Sequence, residues 1–279
     1  MLSRLQPDGE ENPQADPLVD LLRPRLGKGC RFHRLPQHDA LPVEGRPRGH
    51  VSPGIHDAIV LKDPSVLSAL GVDPWQRASF REAYYRGEDL PEAILSGAAA
   101  SRCITAGREA AVTVQGRGSR LAVEFSVPLE GEGTDLHLVK TLVLRGGEER
   151  FEARFRLENR GAETASGWLC SEWNLNLLSG NGPDRYYEGM GEARALSSSG
   201  VARAVRAFRV VDAWRNVAAG AALDRECVVL REPIETASLS ESGAEKIHQG
   251  VCLRILFPVR LEPGNDEQYS ILWSFKSVD

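Results

Sequence analysis

From about residue 99 to the C-terminus, the apolar residues of this chain recur at every second position. Leu121, Val123, Phe125 and Val127 alternate with Arg120, Ala122, Glu124 and Ser126, and Phe151, Ala153, Phe155 and Leu157 alternate with Glu152, Arg154, Arg156 and Glu158. A period of two sends successive side chains to opposite faces of a pleated strand, so each run reads as a half-buried strand. Residues 136–144 form a more fully apolar strand, which Gly146-Gly147 turns into the next one near Glu149. Further strands are predicted over 205–211, 217–223, 226–230, 234–240, 246–257 and 268–275, the last with Tyr269, Ile271, Trp273 and Phe275 on one face. Roughly eleven or more antiparallel strands in succession with short turns call for a large, mainly β fold, a twisted antiparallel β-sandwich over residues 99–279.

The preceding segment has no such period. Residues 1–15 are polar, with Pro, Glu and Asn, and read as a disordered tail. Asp16-Pro17 places an N-cap before a proline at the first helical position, and Leu18, Val19, Leu21 and Leu22 form a short apolar helix ending near Pro24. Residues 27–54, rich in Arg, His, Pro and Gly, read as an irregular stretch lying over a larger body. Capped helices are predicted over 65–70 and 75–85, closed by Gly71 and Gly87, with a third short one over 91–95. Helices this short do not hold in water alone, so residues 16–98 are expected to pack on the sandwich as an irregular segment with a few short N-terminal helices.

Composition narrows the function classes. A net charge of −5 with mixed signs gives no electrostatic case for nucleic acid. No apolar run reaches the length of a membrane span or a signal peptide core, so no membrane partner is expected. Cys30, Cys103, Cys170, Cys227 and Cys252 contain no CxxC pair, which fits reduced thiols in the cytoplasm. Cys30, His33, His38, His50 and His56 lack the second Cys pair of a structural zinc site, so neither metal nor other cofactor is expected. The chain has no GxSxG elbow, HExxH, Walker loop or dinucleotide fingerprint, and no spacing among its 39 acids singles out an acid and a base.

The most unusual stretch is 168–187, WLCSEWNLNLLSGNGPDRYY. Alternation puts Leu169, Ser171, Trp173, Leu175 and Leu177 on a core face, and Trp168, Cys170, Glu172, Asn174 and Asn176 on the other. Asn is a poor strand former and Trp is costly to expose, so an acid, two carboxamides and an indole in a row suggest a face for a polar, ring-shaped ligand. The turn cluster from Ser179 to Asp184 then delivers Arg185, Tyr186 and Tyr187 near the end of that row. Flat aromatic faces stack on sugar rings, and planar polar groups take hydroxyls. The same residues also suit a structural network, with Arg185 paired to Glu172 or Asp184. A second constellation holds Glu235, Thr236, Ser238, Ser240 and Glu241, either a hydroxyl row for a sugar or a solvated hairpin face.

The run SEWNLNLLSGNGPDRYY, the pair Asp212 and Trp214, and the run PIETASLSESGAEKIHQ resemble successive motifs of the C-terminal β-sandwich domain of family 57 glycoside hydrolases, which include 4-α-glucanotransferases and α-amylases. The segment 54–80 is similar to the region preceding that sandwich, so the resemblance covers roughly residues 50 to 276. It implies a galactose-mutarotase-like supersandwich in carbohydrate metabolism. The family's nucleophile and acid/base lie on an N-terminal (β/α) barrel whose alternating strand and helix pattern is not found in this sequence, so no catalytic residue is carried over. The resemblance implies a noncatalytic carbohydrate-binding or accessory domain, with an α-glucan or small sugar, and a separate family 57 catalytic chain, as partners. The carbohydrate-binding residues expected are Trp168, Glu172, Asn174, Asn176, Asp184, Arg185, Tyr186, Glu235, Thr236, Ser238 and Glu241. Two alternatives remain open here: an aldose epimerase drawing on His137, His248, Glu172 and Glu235, and a purely structural interaction protein.

Overall fold

A computed structural model of the protein describes residues 66, 77–87, 90–99, 103–105, 108–131, 134–177, 180–192, 194–240 and 243–278. The expected tail, the helix at 18–22, the irregular stretch with its histidines and nearly all of the 65–70 helix lie outside the described residues. The strands in chain order are β1 (Arg81–Arg86), β2 (Cys103–Ile104), β3 (Ala111–Arg117), β4 (Arg120–Gly131), β5 (Thr134–Arg145), β6 (Arg150–Asn159), β7 (Ala165–Leu175), β8 (Arg185–Glu188), β9 (Gly200–Asp212), β10 (Val217–Ser240), β11 (Gly243–Leu261) and β12 (Asp266–Lys276). One helix, α1 (Pro91–Ser96), starts on a proline and ends at Gly97, whose left-handed φ of 75° lets its N–H return to the Ile94 carbonyl.

The strands run β2-β1-β7-β11-β10-β12-β6-β5-β4-β3, with β9 on the other edge of β10 and β8 beyond β9; every pairing is antiparallel. β10 makes a sandwich of this path. Its first part, Ala218 to Leu223, pairs with β12, and from Val228 onward it pairs with β11, while its register with β9 shifts between Ala222 and Cys227. The sequence predicts three strands here because Asp224-Arg225 and Pro233 look like breaks; instead one strand changes partners and continues. The two stretches of sheet then face each other across rings: Trp173 of β7 lies 5.2 Å from Trp273 of β12, Phe155 of β6 lies 6.1 Å from Phe257 of β11, and Phe257 lies 5.1 Å from Tyr269.

The period-two faces are observed where one side of a strand is buried. Tyr269, Ile271 and Trp273 are buried with Phe275 packed against them, and Ala153, Phe155 and Leu157 are buried with Phe151 beside them. The helix predicted over 75–85 is corrected: residues 81–86 are β1, paired along β7 from Glu172 to Gly167. Its periodicity misleads because both faces are covered, Tyr84 in the main core and Tyr85 in a second cluster with Ile94, Cys170, Val228, Leu230 and Leu256. α1 seals that second cluster on the outside of the sandwich by burying Pro91 and Ile94. Where β1 meets β7, a Cβ at Gly167 would stand 2.0 Å from the Tyr85 carbonyl oxygen, so only glycine fits that crossing. The described free cysteines are buried in both clusters, Cys227 in the main core and Cys170 under α1, and Cys252 is buried on β11.

One ion pair crosses the interior. Lys140 of β5 donates to Glu82 of β1 at 2.6 Å and to the Phe80 carbonyl at 2.6 Å, while Ser171 of β7 donates to the other Glu82 oxygen at 3.2 Å. The ammonium also lies 4.4 Å from the centroid of the Phe80 ring. Burial pushes the Glu82 carboxyl above its ordinary range, and the charge and hydrogen bond of Lys140 act against that push. Because β5 and β1 share no ladder, this pair ties one layer to the other. Lys140→Met, which strands a buried carboxylate, is expected to lower the unfolding free energy by about 3–5 kcal/mol in urea titration, and adding Glu82→Leu is expected to recover part of it. Equal losses in the single and double variants would show that charge pairing is not what holds the layers here.

Candidate functional site

The expected binding residues fall into three groups. On the outer face of β7, Trp168 is half-buried against the cluster under α1 and Glu172 is only 6% exposed. Glu172 sits between Arg81 of β1 and Arg254 of β11 in register, and Arg81 Nη2 donates to its Oε2. Asn174 Nδ2 donates to Glu172 Oε1 at 2.9 Å, while the Asn174 N–H donates to Ser79 Oγ at 2.9 Å. Asn174 Oδ1 is buried and has no hydrogen-bond partner among the described residues. Arg254 reaches Glu232 at 3.2 Å and donates to the Ile94 and Leu95 carbonyls at the end of α1, and Glu232 also holds Arg77 at 3.0 Å. Of the polar row, only Asn176, just past the end of β7, is exposed.

The second group lies at the start of β8. Arg185 Nη1 is 3.3 Å from Asp184 Oδ1, and its Nε is 3.2 Å from Oδ1 of Asp212, its partner in β9. Asp212 is 1% exposed and also accepts the Arg215 N–H at 3.0 Å; its Oδ2 is buried without a hydrogen-bond partner among the described residues. β8 is held on its other side by a bridge from Tyr186 to Ala195, which brings the guanidinium of Arg194 over the Tyr186 ring at 4.4 Å. Asn181, Gly182, Pro183, Arg185, Tyr186, Arg194 and Ala195 line an open cleft of about 400 Å³. Tyr187, one residue on, points into the core.

The third group is the β10–β11 hairpin. Lys246 donates to Glu235 at 2.8 Å, and Gln249 donates to Thr236 Oγ1 at 3.2 Å. Strand alternation sets Glu235 on one face of the hairpin and Thr236 and Ser238 on the other. Glu241 lies outside the described residues. Opposite Glu235 in register stands His248, packed so closely on the loop after β7 that a Cβ at Gly180 would meet its Nδ1 at 2.8 Å. Both His248 ring nitrogens are buried without a hydrogen-bond partner among the described residues. Burial pulls its pKa below the usual histidine range, with the Glu235 charge pulling weakly the other way.

The four acid and base residues named for an epimerase are thus only partly brought together. Glu235 and His248 are neighbours, but the Glu235 carboxylate is taken by Lys246; His137 shares a 2.8 Å hydrogen bond with Ser126, and Glu172 is held by Arg81. Sequence reasoning missed Arg194. Its place over Tyr186 depends on the pairing of residue 186 with residue 195, which no local pattern announces. Asn181, Gly182 and Pro183 could have been found, because they belong to the turn cluster that ends the polar row.

Residues 38–271 match the model of a family described as alpha-amylase/4-alpha-glucanotransferase, C-terminal. Over 220 residues the chain is 26% identical to alpha-amylase 1 of Dictyoglomus thermophilum, a match covering 76% of this chain and 30% of that protein. Among solved structures, 4-alpha-glucanotransferase from Thermococcus litoralis is similar with a TM-score of 0.56 and 17% identity over 77% of this chain and 30% of that one. A galactose mutarotase related enzyme from Lactobacillus acidophilus is also matched, with a TM-score of 0.42 and 12% identity over 60% of this chain and 71% of that one. The chain therefore spans 30% of the length of the amylase and of the glucanotransferase.

His248 generates a pH dependence. A histidine whose pKa is lower folded than unfolded binds more protons in the unfolded chain, so the stability it contributes is present above its unfolded pKa and is lost as pH falls. In urea melts between about pH 7 and about pH 5, the wild type is expected to lose stability more steeply than His248→Gln, with His137 titrating alike in both. Parallel pH profiles for the two proteins would remove His248 from this role.

Proposed function

The chain belongs to the alpha-amylase/4-alpha-glucanotransferase C-terminal family, and from that premise we propose that it is a noncatalytic α-glucan-binding or accessory domain of the family 57 type. The observation that carries the reading is the cleft at the start of β8. It offers a tyrosine ring backed by a guanidinium, a second guanidinium fixed by Asp184 and Asp212, and the amide of Asn181. A pyranose presents an apolar C–H face and a rim of hydroxyls, and these groups match both. Two expected residues, Arg185 and Tyr186, line the cleft directly, with Asp184 beside them.

Glu172, Asn174 and Glu235 act in this reading as the frame. Glu172 and Asn174 fix the end of β7 from which the loop departs, and the Glu235–His248 side of the hairpin holds that loop at Gly180. The noncatalytic part of the proposal rests on the lining: glycoside hydrolysis needs two carboxylates flanking the bond, and none lines the cleft among the described residues. A separate catalytic chain of the family would then supply the chemistry. The proposed location is the cytoplasm, where unpaired thiols such as those of Cys170, Cys227 and Cys252 stay reduced. Among the described residues no helix is long and apolar enough to cross a membrane.

Titration with maltodextrins in a calorimeter tests the proposal. The wild type is expected to bind, and Tyr186→Ala to bind about tenfold more weakly, a loss of about 1.4 kcal/mol. Absence of maltodextrin binding by the wild type would end the α-glucan reading. Amylose incubated with the purified chain is expected to release no reducing ends, and release that survives repurification would end the noncatalytic one.

A further inference from the structure

The one large exposed aromatic residue among the described residues is Trp214, 77% exposed in the turn between β9 and β10. Trp173 and Trp273 are buried in the core and Trp168 is half-buried, so this indole is set apart from the other described ones. The turn that carries it is firmly tied. The Ala213 N–H donates to the Asp184 carbonyl at 2.8 Å, the Arg215 N–H to the buried Asp212 at 3.0 Å, and the Asn216 N–H back to the Ala213 carbonyl at 3.2 Å. Asn216 takes a left-handed φ of 54° and accepts the Val278 N–H at 3.0 Å through its side chain. Fixed at four points, the backbone of the turn is in place before any ligand arrives, which removes the backbone part of the ordering cost of binding.

Its position relates it to the cleft. Arg185 is the ladder partner of Asp212 and Tyr186 of Val211; β9 ends at Asp212, and Trp214 follows in the turn whose Ala213 N–H is held by the carbonyl of Asp184, next to Arg185. Three residues separate Val211 from Trp214, so their Cα atoms lie at most roughly 11 Å apart, within the reach of a short oligosaccharide. Asp184 and Arg185, bonded to each other, adjoin both Tyr186 and the Trp214 turn and are able to meet hydroxyls.

We infer that Trp214 is a second stacking platform, so that the β8–β9 end recognises a run of at least two α-linked glucose rings, one on Tyr186 and the next on Trp214. The inference rests on the α-glucan reading above and adds the platform and a chain-length requirement to it. A single ring can occupy only one platform, so affinity rises from glucose to maltohexaose in the wild type.

The test is calorimetric titration of glucose, maltose and maltohexaose into wild type, Trp214→Ala and Trp214→Phe, with thermal melts of each. Trp214→Ala is expected to keep the wild-type melting temperature, bind maltohexaose about tenfold more weakly and lose the gain with chain length, and Trp214→Phe to recover part of it. Wild type that binds maltohexaose while Trp214→Ala binds it equally well overturns the second platform and leaves the α-glucan reading in place. Should Trp214→Ala melt lower, the comparison of Trp214→Phe with wild type decides instead, and equal maltohexaose affinity in those two with no dependence on chain length overturns the inference. Failure of the wild type to bind any of the three overturns the α-glucan reading itself and this inference with it.

Discussion

A single strand has to serve two sheets, and the remainder of the fold depends on how β10 does so. Its two halves carry β12 and β11 in succession while β9 runs along its opposite edge, so both layers start from one backbone. That origin forces the inner faces together at the place where Trp173, Trp273, Phe155, Phe257 and Tyr269 meet. Towards the far edge of each layer the common strand no longer sets the spacing, and there the Lys140–Glu82 pair joins β5 to β1 directly. Geometry set at one end and charge pairing at the other keep the layers in register.

The candidate site follows from what happens where ladders stop. β7 ends at Leu175, and the loop that follows is pinned against His248 at Gly180 before it enters β8. β8 is short, paired with β9 on one side and bridged to Ala195 on the other. Its side chains therefore alternate between a core role and a surface role: Tyr187 goes inward, Tyr186 outward under Arg194. Polar groups on regular strands, such as Glu172 and Glu235, find partners on neighbouring strands and are used up in structure. Groups at the ladder ends keep open space in front of them.

This division explains how much could be read in the sequence. The alternation along β6 and β12 states their core faces outright, because one side of each strand is buried and the other wet. β1 hides itself, since Tyr84 and Tyr85 are buried on opposite faces and leave no alternation to see. The continuity of β10 is hidden too, because a change of partner at Asp224-Arg225 has the same residues as a turn. On β7 the sequence separates the two faces correctly, with Leu169 and Trp173 in the core, yet it cannot show that Arg81, Arg254 and α1 close over the polar side. Those partners come from strands and a helix distant in the chain, and only the folded topology brings them there.

The three buried cysteines have a practical consequence. A thiol reacts as its thiolate, and burial holds Cys170 and Cys227 at about 12 and Cys252 higher still. At these three positions an alkylating reagent meets almost no thiolate, so labelling there waits for the chain to open. Cys170 lies under α1 while Cys227 lies in the main core, so their labelling clocks time two different openings, the lifting of a helix and the parting of the layers. The molecule thus carries built-in probes of its own breathing, one for its cover and one for its interior.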